Sequence, residues 1–466
     1  MHNCSRFYRF YEFGRELVYD REGATAFFVN DVESKFLDCF QEGKSTEESI
    51  ATLRNVYNYT IDEITEPLDH LKSEGVLTAD PSIPYQKFSQ TYTLTLNLTQ
   101  ECNLRCKYCY VEKSDLSSFM SEKVAKKAVD FLLKVKDLEA FGISFYGGEP
   151  LLNFPVMKST IEYACKEAEK RGLPEIKYHI TTNGTLLTDD VITFLTDYHV
   201  NVMVSIDGPA PIHDGMRVTP AGEGTHSLVV DRLQTLMDTA GCHKISVSGV
   251  VTNRGRLKTA YEYLSELTLK DIKLSYVRYL NESEYALTDV QKKQYKEDMR
   301  DIALECLELL LKGVRPPYYN FENKILQLWK HTKRTYFCPA GMRRFGISPE
   351  GGIYPCGPAA AMGEWKLGTL EDGLDKSAVD RWTAVASFEN KTSCKKCWAQ
   401  HLCAGGCPLR LVRSFDEQRC EINLHATRLA IAIYAAVKEK NEMMLAALVD
   451  EEFLSSIKRL LQEIVS

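Results

Sequence analysis

From Tyr92 onward, short apolar runs alternate with stretches in which apolar residues recur every three or four positions, a repeated strand-then-helix unit. Six strands are predicted, at 92–98, 142–146, 176–181, 201–206, 244–251 and 271–279. Each is followed by helical periodicity, the sequence signature of a parallel α/β sheet or barrel. Residues 1–80 read differently. Apolar strands around Leu17, Val18 and Tyr19 and around Ala26, Phe27, Phe28 and Val29 precede helical patterns starting at Asp31, Thr46 and Thr60. That α+β segment is cut off by Asp80-Pro81 and Ile83-Pro84, where proline removes backbone donors and pushes the preceding residue out of helical geometry. A second break, Gly313 to Pro317, follows the sixth helix. Residues 338–420 then mix Gly, Pro and Cys with little periodicity, a core so thin that metal is expected to hold it. From Glu421 the pattern returns to helix, with Leu429, Ile431 and Ile433 and then Leu445 and Leu448 as apolar faces. The expected divisions are 1–80, a linker at 81–91, a β/α unit at 92–315, a bridge at 316–337, a cysteine-rich unit at 338–425 and C-terminal helices at 426–466.

Composition narrows what such a chain does. Its 466 residues are 44% hydrophobic and 26% charged, enough for several cores and incompatible with wholesale disorder. A net charge of −7 argues against general affinity for nucleic-acid phosphates, so a peptide or small molecule is the expected partner. No apolar run approaches the ~20 residues that span a bilayer. Arg6, Arg9, Glu12 and Arg15 leave no signal-peptide core, so a cytoplasmic location and no membrane partner are expected. Fifteen cysteines are too many, and of odd number, for a disulfide framework in a reducing compartment. Cys102, Cys106 and Cys109 lie together and seven more fall between Cys338 and Cys420, a clustering that reads as metal. Cys4, Cys39, Cys165, Cys242 and Cys306 are scattered and read as small core residues. The histidines show no metal spacing, and no role is assigned to them.

The first group, C-x3-C-x2-C, directly follows the first predicted strand. Three thiolates at these intervals can take three corners of an iron–sulfur cube and leave one iron free for a reacting ligand. Zinc and free thiols are the alternatives, but structural zinc wants four closed ligands and no fourth Cys or His is near. Gly147-Gly148-Glu149-Pro150, Asn183-Gly184 and Asp207-Gly208-Pro209 follow the second, third and fourth strands, so all four loops point at the C-terminal mouth, where barrel chemistry sits. Taken singly, each of these three is an ordinary turn.

Cys102-Asn-Leu-Arg-Cys106-Lys-Tyr-Cys109 resembles the cluster loop of radical S-adenosylmethionine enzymes, and the resemblance covers most of the chain. It implies a partial (β/α)6 barrel. It also implies a [4Fe–4S] cluster whose free iron is chelated by S-adenosylmethionine, which is cleaved reductively to a 5′-deoxyadenosyl radical with electrons from a donor such as flavodoxin or ferredoxin. By the same resemblance Gly147, Gly148 and Glu149 form the motif facing the methionyl ammonium and Tyr108 stands beside the adenine. Asn183 and Ser205 contact the ribose and methionyl groups, and Arg217 is the carboxylate-binding arginine.

The later cysteines, Cys338, Cys356, Cys394, Cys397, Cys403, Cys407 and Cys420, resemble the SPASM domain with its two auxiliary [4Fe–4S] clusters. The resemblance assigns Cys338, Cys356 and Cys407 to the first cluster and Cys394, Cys397, Cys403 and Cys420 to the second. A zinc-ribbon pair is the alternative, but seven cysteines do not divide into tetrahedral sets of four. Some relatives supply a further ligand six residues after the first cysteine, where this chain has Arg344. The first auxiliary cluster is then one ligand short. A substrate cysteine would fill that corner as a soft thiolate, and water, another side chain or a leftover thiol such as Cys306 are the duller occupants. Sulfatase-maturing relatives carry an aspartate after the residue matching Cys356, whereas Gly357-Pro358 stands here. Residues 1–80 resemble, in element order, the winged-helix element that recognises leader peptides by strand addition, which would raise the precursor's effective concentration at the active site; a structural cap is the other reading. The function these resemblances imply is a maturase that forms cysteine thioethers in a ribosomally made precursor peptide, of the sactipeptide or ranthipeptide kind. The alternatives are another radical peptide modification, such as a C–C or C–O cross-link or epimerisation, and a non-catalytic iron–sulfur carrier or redox sensor.

Overall fold

The fold is that of a computed structural model. It describes residues 6–77, 83–85, 91–111, 118–135, 140–173, 175–241, 244–267, 269, 271–277, 284–409 and 417–449. The expected break at Asp80 and Pro81, the tail of the sixth predicted strand, residues 450–466, Cys4 and Cys242 lie outside them.

Side chains on a strand alternate between its two faces, and this organises the N-terminal part. β1 (Phe7–Glu12), β2 (Arg15–Asp20) and β3 (Thr25–Phe28) form an antiparallel meander. Val18 and Phe27 face α1 (Asp31–Gln41), α2 (Thr46–Tyr57) and α3 (Ile61–Ser73), while Leu17, Tyr19, Ala26 and Phe28 join the core of the main body. Burial on both faces explains why β2 and β3 read as unbroken apolar runs. β1 was not anticipated, because FYRFYE shows neither a run nor clean alternation. All three helices begin at capping boxes, Asn30 with Glu33, Ser45 with Glu48 and Thr60 with Glu63, so their starts were legible.

Six parallel strands then lie side by side in chain order, close to the predicted bounds: β4 (Thr91–Thr99), β5 (Ala140–Gly147), β6 (Lys177–Thr182), β7 (Asn201–Ser205), β8 (Ile245–Val251) and β9 (Asp271–Tyr276). Helices connect them: α4 (Glu122–Leu133), α5 (Phe154–Lys170), α6 (Asp189–Asp197), α7 (Ala210–Met216), α8 (His226–Ala240) and α9 (Leu257–Ser265), with α10 (Asp289–Leu311) after β9. Parallel pairing with crossovers puts every C-terminal strand end on one side. After α11 (Glu322–Trp329) the chain returns to the sheet. β10 (Arg344–Ile347) pairs in parallel with β4, and β11 (Gly352–Tyr354), β12 (Gly368–Thr369) and β13 (Gly373–Leu374) continue antiparallel to make ten strands. The cysteine-rich region thus begins by extending the sheet, and strands this short carry too few residues for a period to show. α12 (Gly357–Ala361) and α13 (Lys376–Ala386) follow, and a long helix, Glu417–Asn441, ends the main body.

That last helix is also where the N-terminal module docks. Tyr8 stacks on Trp398 at 3.9 Å with rings 2° from parallel, and Arg428 donates to the Tyr8 hydroxyl at 2.6 Å. Arg15 pairs with Glu439, Lys438 with Glu74 and Lys333 with Glu22 around the rim. The exposed Arg15–Glu439 pair contributes little, whereas the other two pairs, each with a largely buried side chain, add to the stack and the shared core in the docking. Tyr8→Ala is expected to cost about 2 kcal/mol. In hydrogen exchange, β1 to β3 should exchange roughly thirtyfold faster while β5 to β8 stay unchanged; equal loss of protection in both would contradict docking through this stack.

Candidate cofactor cavity at the strand ends

The loop carrying Cys102, Cys106 and Cys109 leaves β4 and is zipped by its backbone to two neighbours. On one side Gly148 N donates to Thr99 O at 2.9 Å and Glu149 N to Glu101 O at 2.8 Å. This contact requires glycine: a Cβ on Gly147 would lie 2.2 Å from Thr99 O, and one on Gly148 2.1 Å from Glu101 O. On the other side Arg105 N donates to Val218 O at 2.7 Å and Lys107 N to Met216 O at 3.0 Å, which brings Arg217 against the cysteine loop.

Glu149, fully buried, turns inward. It accepts from Thr182 Oγ1 at 2.8 Å, Asn183 N at 2.7 Å and Leu151 N at 3.1 Å, tying the ends of β5 and β6 together. Burial raises its pKa to about 7 against the pull of those donors. Gly147 and Gly148 line the cavity with their backbone while the carboxylate holds the Asn183 loop from behind. The Asn183 amide donates to Asn103 Oδ1 at 2.8 Å and lies 3.8 Å from Cys102 Sγ.

Asp207, just after β7, was legible only as part of a turn motif and is the residue that sequence reasoning left out of the site. With no exposed surface, it accepts from Tyr108 Oη at 2.5 Å, from Arg217 at 3.1 Å and from Val250 N at 2.9 Å. The Arg217 guanidinium sits 5.5 Å from the Tyr108 ring centre. Burial opposes the Arg217 charge, but Asp207 outweighs it and the pKa is raised. Ser205, at the end of β7, lies on the same wall.

Cys102, Cys106, Cys109, Tyr108, Gly147, Gly148, Asn183, Ser205 and Arg217 all line one cavity of about 1330 Å³. Cys338, Cys403 and Cys407 line it too, on the far wall, beside Arg344. Cys338, Cys356 and Cys407 interact with one another and with Arg344, while Cys394, Cys397 and Cys403 form a neighbouring group. Cys420 stands in the first turn of helix Glu417–Asn441, which packs against the short helix Gln400–Cys403. Cys306 in α10 and Cys39 in α1 are buried core residues, as expected, whereas Cys165 is exposed on α5 and is not the core residue expected of it.

The donor set suits iron–sulfur clusters. Burial pushes the Cys106 thiol up to about 11 and the Cys356 thiol up to about 12, and raises Cys102, Cys338 and Cys403. Thiols desolvated in this way become thiolates when a cation takes them. Among the described residues no three His, Cys, Asp or Glu side chains close on a single-ion centre. Arg105, Arg217, Lys273, Lys324, Arg334 and Arg344 line the cavity against one carboxylate, Glu101, which favours anionic guests. Among the described residues no helix is long and apolar enough to cross a membrane.

Residues 96–242 match the family model described as the Radical SAM superfamily. An uncharacterized protein of Methanocaldococcus jannaschii is 31% identical over 267 residues, 56% of this chain and 84% of its own length. The antilisterial bacteriocin subtilosin biosynthesis protein AlbA of Bacillus subtilis is 24% identical over 351 residues, 72% of this chain and 71% of its own. Among solved structures, anSMEcpe with bound AdoMet superposes with a TM-score of 0.65 at 23% identity, covering 77% of this chain and 97% of that one, a likeness of fold. Motif, strand-end geometry and family match agree, and the chain belongs to the radical SAM superfamily.

Proposed function

We propose that this protein is a peptide maturase that joins a carbon of a ribosomally made precursor to a cysteine sulfur as a thioether. Membership of the superfamily implies S-adenosylmethionine and a [4Fe–4S] cluster, and Cys102, Cys106 and Cys109 are the ligands we assign to that cluster. When bound, these groups supply a 5′-deoxyadenosyl radical that takes a hydrogen atom from a C–H bond, and the auxiliary clusters supply an acceptor for the electron left when the C–S bond forms. The chain's own residues bind and orient. The backbone of Gly147 and Gly148 leaves room for the methionyl ammonium, and Arg217, held by Asp207, offers its guanidinium to the carboxylate. Asn183 and Ser205 face the ribose and methionyl groups, with Tyr108 beside the adenine.

The observation that carries the reading is the shared cavity: a peptide inside it can face the Cys102 loop with a C–H bond and the Cys338, Cys407 and Arg344 wall with a thiol. Arg344 stands where a further ligand would be expected and interacts with Cys338 and Cys356, a cation suited to a substrate thiolate. At Gly357 a Cβ would lie 2.5 Å from Thr95 Cγ2, so no carboxylate side chain fits after Cys356 and the proton of the substrate thiol needs another acceptor. Biosynthesis of a bacteriocin is what the name of the Bacillus subtilis relative describes. We assign residues 1–80 to leader recognition, with the meander edge as the pairing strand, residues 92–315 to radical generation, and residues 338–425 to the auxiliary clusters, with Cys338, Cys356 and Cys407 in one set and Cys394, Cys397, Cys403 and Cys420 in the other. The electron donor belongs to the flavodoxin or ferredoxin class.

Replacing Cys102, Cys106 and Cys109 together by Ala should abolish 5′-deoxyadenosine formation under dithionite; continued product would remove the assignment of the radical site. For the thioether, a cysteine-bearing precursor is incubated anaerobically with reconstituted protein, S-adenosylmethionine and reductant, then analysed by intact and tandem mass. Each link should remove two hydrogens and leave one cysteine that resists alkylation even after disulfide reduction. A mass loss with every cysteine still alkylated would mean a different radical modification and would overturn the thioether reading.

A further inference from the structure

Lys391 immediately precedes the short helix Thr392–Lys395, and its carbonyl accepts from the N–H groups of Cys394 and Lys395, each at 3.0 Å. Its backbone is thereby fixed to one of the C-terminal cysteines. Its side chain runs the other way, across the loop between Cys403 and Cys407. Gly405, in that loop at φ +76°, makes room for it: a Cβ there would meet Lys391 Nζ at 3.1 Å and Cδ at 3.5 Å. The Nζ atom is shielded from solvent and has no hydrogen-bond partner in the protein.

An ammonium buried without a partner costs several kcal/mol, so a fold keeps one only where an anion meets it. Burial lowers the pKa of Lys391, and the groups that act the other way and favour its charge are Cys394, Cys403 and Cys407. Cys403 interacts with Cys394 and Cys397, whereas Cys407 interacts with Cys338 and Cys356. The lysine therefore stands at the junction of the two thiol groups. Two clusters with thiolate ligands are both anionic, repel one another, and become harder to reduce as negative charge accumulates. A buried cation between them acts in the opposite direction, in surroundings of low dielectric where its field is strong.

We propose that Lys391 is a positioning residue for the two C-terminal iron–sulfur sites, its ammonium supplying the positive charge that holds them side by side and raises their reduction potentials. This rests on the reading that the seven cysteines from Cys338 to Cys420 hold clusters. In that role the lysine sets how readily the C-terminal sites accept an electron, while the cation acting on Cys106 in the other loop is Arg217.

The test uses the full-length reconstituted protein as wild type, Lys391→Met and Lys391→Arg, with iron content measured and the clusters titrated potentiometrically under EPR. If wild type holds iron for a single cluster and shows no auxiliary signals, the cluster reading itself fails, independently of the lysine. With those signals present, Lys391→Met is expected to shift the auxiliary reduction equilibria at least tenfold toward the oxidised form, 59 mV for one electron. The Cys102-loop cluster should stay where it is, and Lys391→Arg should recover most of the shift. Coincident titrations of wild type and Lys391→Met would overturn the proposal, as would equal shifts in the Met and Arg proteins, which would reflect packing. If Lys391→Met loses its auxiliary iron, Lys391→Arg decides: iron kept at the wild-type potential supports the charge, and iron lost from both overturns it.

Discussion

A carboxylate with no contact with solvent holds the reactive end of this protein together. Asp207 takes donors from the cysteine loop through Tyr108, from the segment after α7 through Arg217 and from β8 through Val250. Removing one partner of a buried ion pair strands the other charge in a poor solvent, which is why such pairs are costly to break even when they add little net stability. The consequence is geometric. Three elements far apart in sequence keep one arrangement, and the guanidinium of Arg217 lines the cavity wall. Glu149 does the same on the opposite side, joining the ends of β5 and β6 through three donors.

Between these two buried acids lies a cavity whose walls are largely cationic, and the cysteines complete its charge balance. Thiolates on iron are anionic, and S-adenosylmethionine carries a carboxylate. Arg217, Arg344 and Lys391 each stand beside a different cysteine group, so the protein distributes its positive charge in step with its sulfur. The β10 return is what makes this possible. Pairing β10 with the free edge of β4 brings Cys338 and Cys356 to the flank of the strand that launches Cys102, and it closes the near edge of the sheet at the same time.

The N-terminal module is attached through a face of its own sheet. Leu17, Tyr19, Ala26 and Phe28 belong to the main core, and Val18 and Phe27 to a separate small one. A module joined in this way holds a fixed position relative to the cavity, which a flexible tether would not give.

Much of this was written in the order of residues. The six β/α units and the helical patterns from Asp31, Thr46 and Thr60 announced themselves by period, and the Cys102 loop by spacing, because these are local patterns that depend on neighbours along the chain. Gly147 and Gly148 were recognisable as a close approach, although their partner, the backbone of Thr99 to Glu101, was not. Strands β1 and β10 to β13 escaped, β1 because it shows neither a run nor clean alternation and the others because they are too short for a period to register. Asp207 escaped as well, because a turn aspartate and a buried hub look alike until three donors converge on it. So did Lys391, one lysine among many on paper. The sequence by itself determined the parallel sheet and the clustering of the cysteines along the chain. Only the tertiary structure decided which thiols share a wall and which charge faces them, since those contacts join residues far apart in sequence, where no local rule reaches.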